Sequence, residues 1–305
     1  MIKHKSVLLD EAINLLDIKE NGTYVDGTLG RGGHAKEILK RLKNGKLYCF
    51  DLDAQAIEES KEALKEYSNV IYIHDNFMNM NKYVDKVDGI LLDLGVSSPQ
   101  FDEADRGFSY RFDGPLDMRM DKENSLTAEE IINNYSEEDL IRIFKDYGEE
   151  KYARPIVRKI AEKRIQRPIK TTLELVEAIK EGLPHKILSK KGHPAKQCFQ
   201  ALRIEVNHEL DSLSYLLNSF NVLLNKDGVI AVISFHSLED RLVKKCFKKL
   251  SSVEDDLRIN KLPSEIETPN YKLLTRHAIV PSDEEIETNP RSKSAKLRAV
   301  KKIKD

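Results

Sequence analysis

Cysteine is scarce in this chain. Cys49, Cys198 and Cys246 are an odd number in 305 residues and show no C-x-x-C spacing. That disfavours a disulfide framework and a zinc site, and it points to a reducing cytoplasm; no metal-ligating residue is singled out, and metal dependence stays open. Long apolar runs are also missing. Nothing approaches a membrane span, and Met1-Ile2-Lys3-His4-Lys5 leads into no signal-peptide core, so no membrane partner is expected. Repeats and low-complexity tracts are absent. G-x-G-x-x-G is not found, so the dinucleotide fingerprint is not met literally. Net charge is nearly absent too, at −1 from 50 Lys and Arg against 51 Asp and Glu.

The balance of charge hides a segregation. Lys151 to Arg203 holds 14 Lys and Arg against 4 Asp and Glu, and Arg291 to Asp305 holds 7 against one Asp. Two basic regions on an otherwise acidic chain suggest a polyanion partner, although a solvated helix face would look the same. With 40% apolar and 33% charged residues, the chain has the composition of a polar globular protein large enough for two domains.

What is present centres on Tyr24-Val25-Asp26-Gly27-Thr28-Leu29-Gly30-Arg31-Gly32-Gly33-His34. It reads as a strand, a glycine-rich turn and the start of a helix bearing Ala35, Ile38, Leu39 and Leu42. The glycines permit positive φ and close approach of a nucleotide-like ligand, towards which the helix start would point its N–H groups. A short helix over Leu9–Leu16 precedes the turn and is expected to cover its mouth. Strands follow at 46–51, 70–74 and 88–94, with helices between them. Near-continuous apolar strands alternating with helices predict an α/β fold, a doubly wound and mostly parallel sheet.

Beyond Pro99 the pattern changes. Gly107 to Met120 reads as an ordered loop or hinge, and helices follow, with Thr127, Ser136 and Thr171 as N-caps. Residues 108–198 are expected to be an all-helical insertion. Residues 1–107 and 199–305 would then form one discontinuous domain. Phe199 to Leu224 reads as one long helix, Val229 to His236 as a strand and Leu242 to Phe247 as a helix. Ser251 to Pro290 is polar and poorly periodic.

The strand ends carry the candidate chemistry. Asp51 ends the second strand close to 20 residues after the glycine turn, where a carboxylate can accept both ribose hydroxyls. That arrangement serves NAD and S-adenosylmethionine equally well. His34 opens the helix after the turn and either caps it or touches the cofactor. Phe77, past the third strand, either flanks an adenine or fills the core. Asp93 ends an apolar strand, where burying a carboxylate without a partner is costly. Asp93-Leu94-Gly95-Val96-Ser97-Ser98-Pro99-Gln100-Phe101 then loosely resembles the Asp/Asn/Ser-Pro-Pro-aromatic turn of amino-group methyltransferases. An exocyclic amino nitrogen gives its lone pair to the ring and is a poor nucleophile. Acceptors on its N–H bonds favour attack and later take up a proton. Asp93, Ser97, Ser98 and Pro99 are the candidates for that role.

Longer motifs carry a closer resemblance. They include His4-x-Ser6-Val7-Leu8-Leu9-x-Glu11, Asp26 to His34, Asp88 to Gln100, and Asp113-Gly114-Pro115-Leu116-Asp117-Met118-Arg119-Met120. Phe199-Gln200-Ala201-Leu202-Arg203-Ile204, Ile233 to Arg241 and Asn289 to Arg298 extend them over nearly the whole chain. The sequence resembles the RsmH (MraW) family of ribosomal small-subunit RNA cytosine-N4 methyltransferases. The resemblance implies a Rossmann-like S-adenosylmethionine-dependent methyltransferase fold with an inserted helical domain that recognises RNA. It implies methylation of N4 of a decoding-centre cytidine in 16S rRNA within the small ribosomal subunit. The cofactor contacts it implies are Gly32, Gly33, His34, Asp51, Phe77, Asp93 and Gln100. Phosphate contacts are then expected from Arg154, Arg158, Lys159, Arg164 and Lys196, and from Arg291 and Lys293 with Lys296 and Arg298 in the tail. One departure stands at Gln197, where the family carries arginine, so Lys196 or Lys191 would have to substitute. A non-catalytic RNA-binding assembly factor and an NAD-linked oxidoreductase are the alternatives, and monomer and homodimer both remain open.

Overall fold

The structure is a computed structural model that describes residues 6–252 and 268–305. Its strands are β1 (Thr23–Asp26), β2 (Lys46–Asp51), β3 (Val70–His74), β4 (Val87–Asp93), β5 (Leu224–Ser234), β6 (Tyr271–Leu273) and β7 (Lys296–Lys302). The helices are α1 (Leu9–Leu16), α2 (Gly33–Leu39), α3 (Ala54–Ala63), α4 (Ser98–Asp102), α5 (Ala128–Asn134), α6 (Glu137–Asp146) and α7 (Ala153–Gln166). They continue with α8 (Thr172–Glu181), α9 (His185–Leu188), α10 (Lys196–Asn207), α11 (Glu209–Leu223), α12 (Ser237–Leu250) and α13 (Asp283–Thr288). Two compact units result, Met1–Gly95 with Asp211–Asp305, and Val96–Leu210.

The first unit is built on one sheet in the order β3-β2-β1-β4-β5-β7-β6. β1 to β5 are parallel, and β7 runs antiparallel to β5 and β6. The sheet is doubly wound because its strands are apolar on both faces. On β5, Val229, Ala231 and Ile233 pack with α1, α2 and α3, whereas Ile230 and Val232 pack with α11 and α12. Each fully buried Leu, Ile or Phe there contributes about 1.5–3 kcal/mol. The strand order reverses between β1 and β4, and such a switch point opens a crevice at the carboxyl ends of the strands.

The second unit is helical. Its core joins Ile131 and Ile132 of α5, Leu140, Ile143 and Phe144 of α6, Ile156, Val157 and Ile160 of α7, and Leu175 and Ile179 of α8. Thr127, Ser136 and Thr171 cap α5, α6 and α8 as their spacing predicts.

Three features differ from the sequence expectation. The units change over at Gly95/Val96 and Leu210/Asp211 rather than at 107/108 and 198/199. Phe108, Leu116 and Met118 from the expected hinge, and Phe199, Leu202 and Val206 of α10, are core residues of the helical unit. The single long helix is two, α10 and α11, broken at His208 with φ of 49°. Asn207 makes the break: its side chain donates to Met118 O (2.8 Å) and Arg203 O (2.9 Å) and accepts from Met120 N (2.7 Å). Finally, the tail from 268 adds β6, α13 and β7 to the first unit; residues 253–267 of the stretch read as aperiodic lie outside the described residues.

Candidate active site

β1, β2 and β4 end on Asp26, Asp51 and Asp93, so three carboxyls share the carboxyl edge of the parallel sheet. The glycine turn after β1 is tied to both neighbouring strands. Gly27 N donates to Leu91 O (2.9 Å), Leu29 N to Phe50 O (2.8 Å), and Asp93 N to the Thr28 hydroxyl (2.6 Å). Gly30 and Gly32 take φ of 50° and 73°, the left-handed region that favours glycine. Gly30 N then donates to Asp51 Oδ2 at 2.7 Å, and Asp53 N to Asp51 Oδ1 at 2.9 Å. The turn's N–H groups are thus partly engaged by carboxylates, with Thr28 N donating to Asp26 Oδ1 at 3.1 Å.

Packing against the turn is close on one side and open on the other. A Cβ on Gly27 would lie 2.4 Å from Leu92 Cδ2 and 3.1 Å from Phe77 Cβ. One on Gly33 would lie 1.9 Å from Ser6 Oγ, whereas one on Gly30 would meet nothing within 4 Å. The residues leading into α1, rather than α1 alone, therefore sit on the turn. Glu285 Oε1, from α13, accepts Leu8 N at 2.9 Å and holds this approach in place.

His34 is buried on α2, with Nε2 3.1 Å from Val7 O. A carbonyl only accepts, so this network assigns the proton to Nε2 and leaves the Nδ1 lone pair facing Asp93 Oδ2 at 3.7 Å. Burial pushes the His34 pKa down to about 4, so the ring is neutral at pH 7 and the pair is no salt bridge. Burial acts in the opposite sense on the acids. It pushes Asp26 up to about 7, with the Asp51 charge adding and the Thr28 N–H opposing. It pushes Asp51 up to about 6 and Asp93 well above the carboxylate range, the latter helped by Asp26, Glu239 and Glu285. Asp26 Oδ2 and Asp93 Oδ1 are buried with no hydrogen-bond partner among the described residues, although the Asp93 side chain as a whole keeps 24% exposure. Buried acceptors without donors cost about 1–3 kcal/mol each. This edge suits a ligand that brings hydrogen-bond donors and positive charge.

The structure thus brings Gly32, Gly33, His34, Asp51, Phe77 and Asp93 around one turn. The remaining candidates belong to the second unit or the tail. Ser97 N donates to Gln100 Oε1 at 3.0 Å, so Ser97 and Gln100 cap the short α4, with Pro99 in its first turn. Ser98 opens that helix, and its side chain lies outside the described residues. The stretch expected as a turn is a helix start.

On α7, Arg154 and Arg158 are exposed, but Arg158 and Lys159 both pair with Glu162. Arg164 donates to Ile132 O at 2.8 Å at the end of α5 and is half-buried, which disfavours its expected phosphate contact. Lys196 and Gln197 are exposed on the first turn of α10, and Lys191 is exposed before it. Arg291 and Lys293 are exposed, whereas Lys296 and Arg298 lie on β7 and bind Asp240 at 3.2 and 2.7 Å.

Sequence reasoning missed Asp26 and Glu285. Asp26 carried a usable signal, the same strand-end placement that singled out Asp51 and Asp93. Glu285 carried none, because only the folded tail brings it to Leu8.

Comparison with known proteins agrees with the geometry. The model of the MraW methylase family matches residues 1–303. A protein of Clostridium botulinum (strain Loch Maree / Type A3), named Ribosomal RNA small subunit methyltransferase H, is 53% identical over 310 residues and 99% of each chain is covered. Proteins with the same name from Streptococcus pyogenes serotype M4 and Mesoplasma florum are 50% and 52% identical, covering 99% of this chain and 98% and 100% of theirs. By a match that spans almost its whole length, this chain belongs to the MraW methylase family.

Proposed function

We propose that the protein is an S-adenosylmethionine-dependent methyltransferase that methylates N4 of a decoding-centre cytidine, cytosine 1402, in the 16S rRNA of the small ribosomal subunit. Its family and the names of its relatives support this reading. The observation that carries it is the acidic edge, three strand-end carboxyls with two buried oxygens that lack donors. S-adenosylmethionine is cationic at its sulfonium and ammonium groups and offers ribose hydroxyls, so it fits that edge. A pyrophosphate offers these unpartnered acceptors only further acceptor oxygens. The acidic edge therefore disfavours the NAD-linked reading.

When bound, the cofactor supplies an electrophilic methyl group. The residues of the chain bind and orient. Asp51 accepts the ribose hydroxyls. Phe77 flanks the adenine, and Gly32, Gly33 and His34 shape the turn against the ligand. Gln100 contacts the cofactor. Asp93 accepts the proton lost by the target nitrogen; burial favours its protonated form, and the positive charge of the bound cofactor would favour the carboxylate that this step requires. Ser97, Ser98 and Pro99 hold the amino group. The helical unit binds RNA, and the cytoplasm, which holds the ribosomes, is the expected location. Among the described residues no helix is long and apolar enough to cross a membrane.

Titration calorimetry with S-adenosylmethionine and with NAD tests the cofactor. Binding of the first and not the second is expected; the reverse overturns the reading. Methyl transfer to purified small subunits tests the reaction, and RNA binding without transfer would favour the non-catalytic assembly factor.

A further inference from the structure

The charge of the helical unit is unevenly matched. On α7, Arg158 and Lys159 pair with Glu162, and Lys163 pairs with Glu181; beyond its end, Arg167 pairs with Glu174. Arg111, Lys180 and Lys196 form no ion pair among the described residues, and all three are exposed. They converge on one aromatic corner. Tyr110 stacks on His193 with ring centroids 4.3 Å apart and planes 16° apart, and meets Phe199 edge-on at 5.7 Å. Burial pushes the His193 pKa down, and the nearby charges of Lys180 and Arg111 push it the same way. Lys196 N donates to His193 O at 3.1 Å.

Phe112 follows Arg111 and keeps 53% exposure. A lone exposed phenylalanine is ordinary, but this one is rigidly presented. Fully buried Thr172 donates through its hydroxyl to Phe112 O (2.8 Å) and accepts Gly114 N (3.1 Å), while Thr172 N donates to Gly114 O (2.9 Å). Leu173 N adds a bond to Asp113 Oδ1 at 3.3 Å. The backbone is pinned, so little further ordering is required when the ring docks. Thr172 and Lys180 stand eight residues apart on α8, ~12 Å at helical rise, a span comparable to two nucleotides.

We propose that Arg111, Phe112, Lys180, His193 and Lys196 form a contact surface for single-stranded RNA, with the Phe112 ring stacking on an unpaired base and the cations holding flanking phosphates. An aromatic platform bordered by unmatched cations is the chemistry that single strands require. The proposal rests on the RNA substrate argued above and adds where on the helical unit a strand docks. It also assigns Lys196, rather than the acid-matched part of α7, to phosphate.

Steady-state methyl transfer to small subunits tests it, with calorimetry of S-adenosylmethionine as the control for folding. Phe112→Leu is expected to raise the KM for subunits at least about fivefold, the low end of base stacking, with kcat and cofactor affinity unchanged. Phe112→Trp is expected to restore the KM, which a purely structural role would not predict. Arg111→Gln with Lys180→Gln should flatten the dependence of log KM on log salt by about 0.7 per lost phosphate contact. A Phe112→Leu enzyme with wild-type KM overturns this surface and leaves the RNA reading standing. A wild-type enzyme that transfers no methyl group to subunits overturns both.

Discussion

Asp26, Asp51 and Asp93 show how much one residue's setting decides. The latter two were legible as acids closing apolar strands. Asp26 was overshadowed by the glycines that follow it, yet it is the most buried of the three at 1% exposure. Its pKa of about 7 has a measurable consequence. The folded chain holds this proton more tightly than the unfolded chain does. The stabilisation is therefore fully present below the unfolded value near 3.8 and is lost as pH rises to about 7. His34 acts in the opposite sense, costing stability as pH falls from 6.5 towards about 4. Asp26→Asn keeps an acceptor for Thr28 N and does not titrate. Compared with wild type, its melting temperature at pH 8 should rise, and the gap should close by pH 4; equal melting curves at both would remove the buried acid from the account. Asp51→Ala should weaken S-adenosylmethionine binding at least about tenfold by calorimetry, because it removes the acceptor for the ribose and the partner of Gly30 N.

At the scale of elements, the sequence carries local signals and not tertiary ones. Caps at Thr127, Ser136 and Thr171 depend on neighbours a few residues away and were visible. The break between α10 and α11 has neither Gly nor Pro to announce it; Asn207 makes it through bonds to Met118 and Met120. The basic tail reads as a phosphate-binding strip from its charge count, and its cations at 296 and 298 face Asp240 only once β7 is paired. The glycine turn offers a test at this scale. Gly33→Ala places a methyl 1.9 Å from Ser6 Oγ and should destabilise the protein by about 1–3 kcal/mol in urea unfolding. Ser6→Gly in the same chain should recover most of the loss. Additive effects would mean that the N-terminal approach does not rest on Gly33.

For the whole molecule, the uneven spread of charge was legible and the matching of that charge was not. Counting placed the cations on α7, while the fold pairs several of them with Glu162, Glu174 and Glu181. The doubly wound, mostly parallel sheet followed from the αβ alternation; its strand order did not, and the switch point lies where Asp26 and Asp93 end adjacent strands. The boundary of the helical unit followed less well. Phe108 and Phe199, beside the expected junctions, belong to its core for reasons of packing that periodicity does not express. At this scale the Asp93→Ala chain should fold with an unchanged melting temperature or a higher one, since it loses a buried acceptor without a donor. Its methyl transfer should fall by about 10²–10⁴-fold. Transfer at the wild-type rate would remove Asp93 from the reaction.

The most direct measurement is nucleoside analysis of 16S rRNA from small subunits incubated with the protein and methyl-labelled S-adenosylmethionine. The account predicts label in N4-methylcytidine, and at least about a hundredfold less of it with Asp93→Ala. Label in another nucleoside, or no label with the wild-type chain, would contradict it.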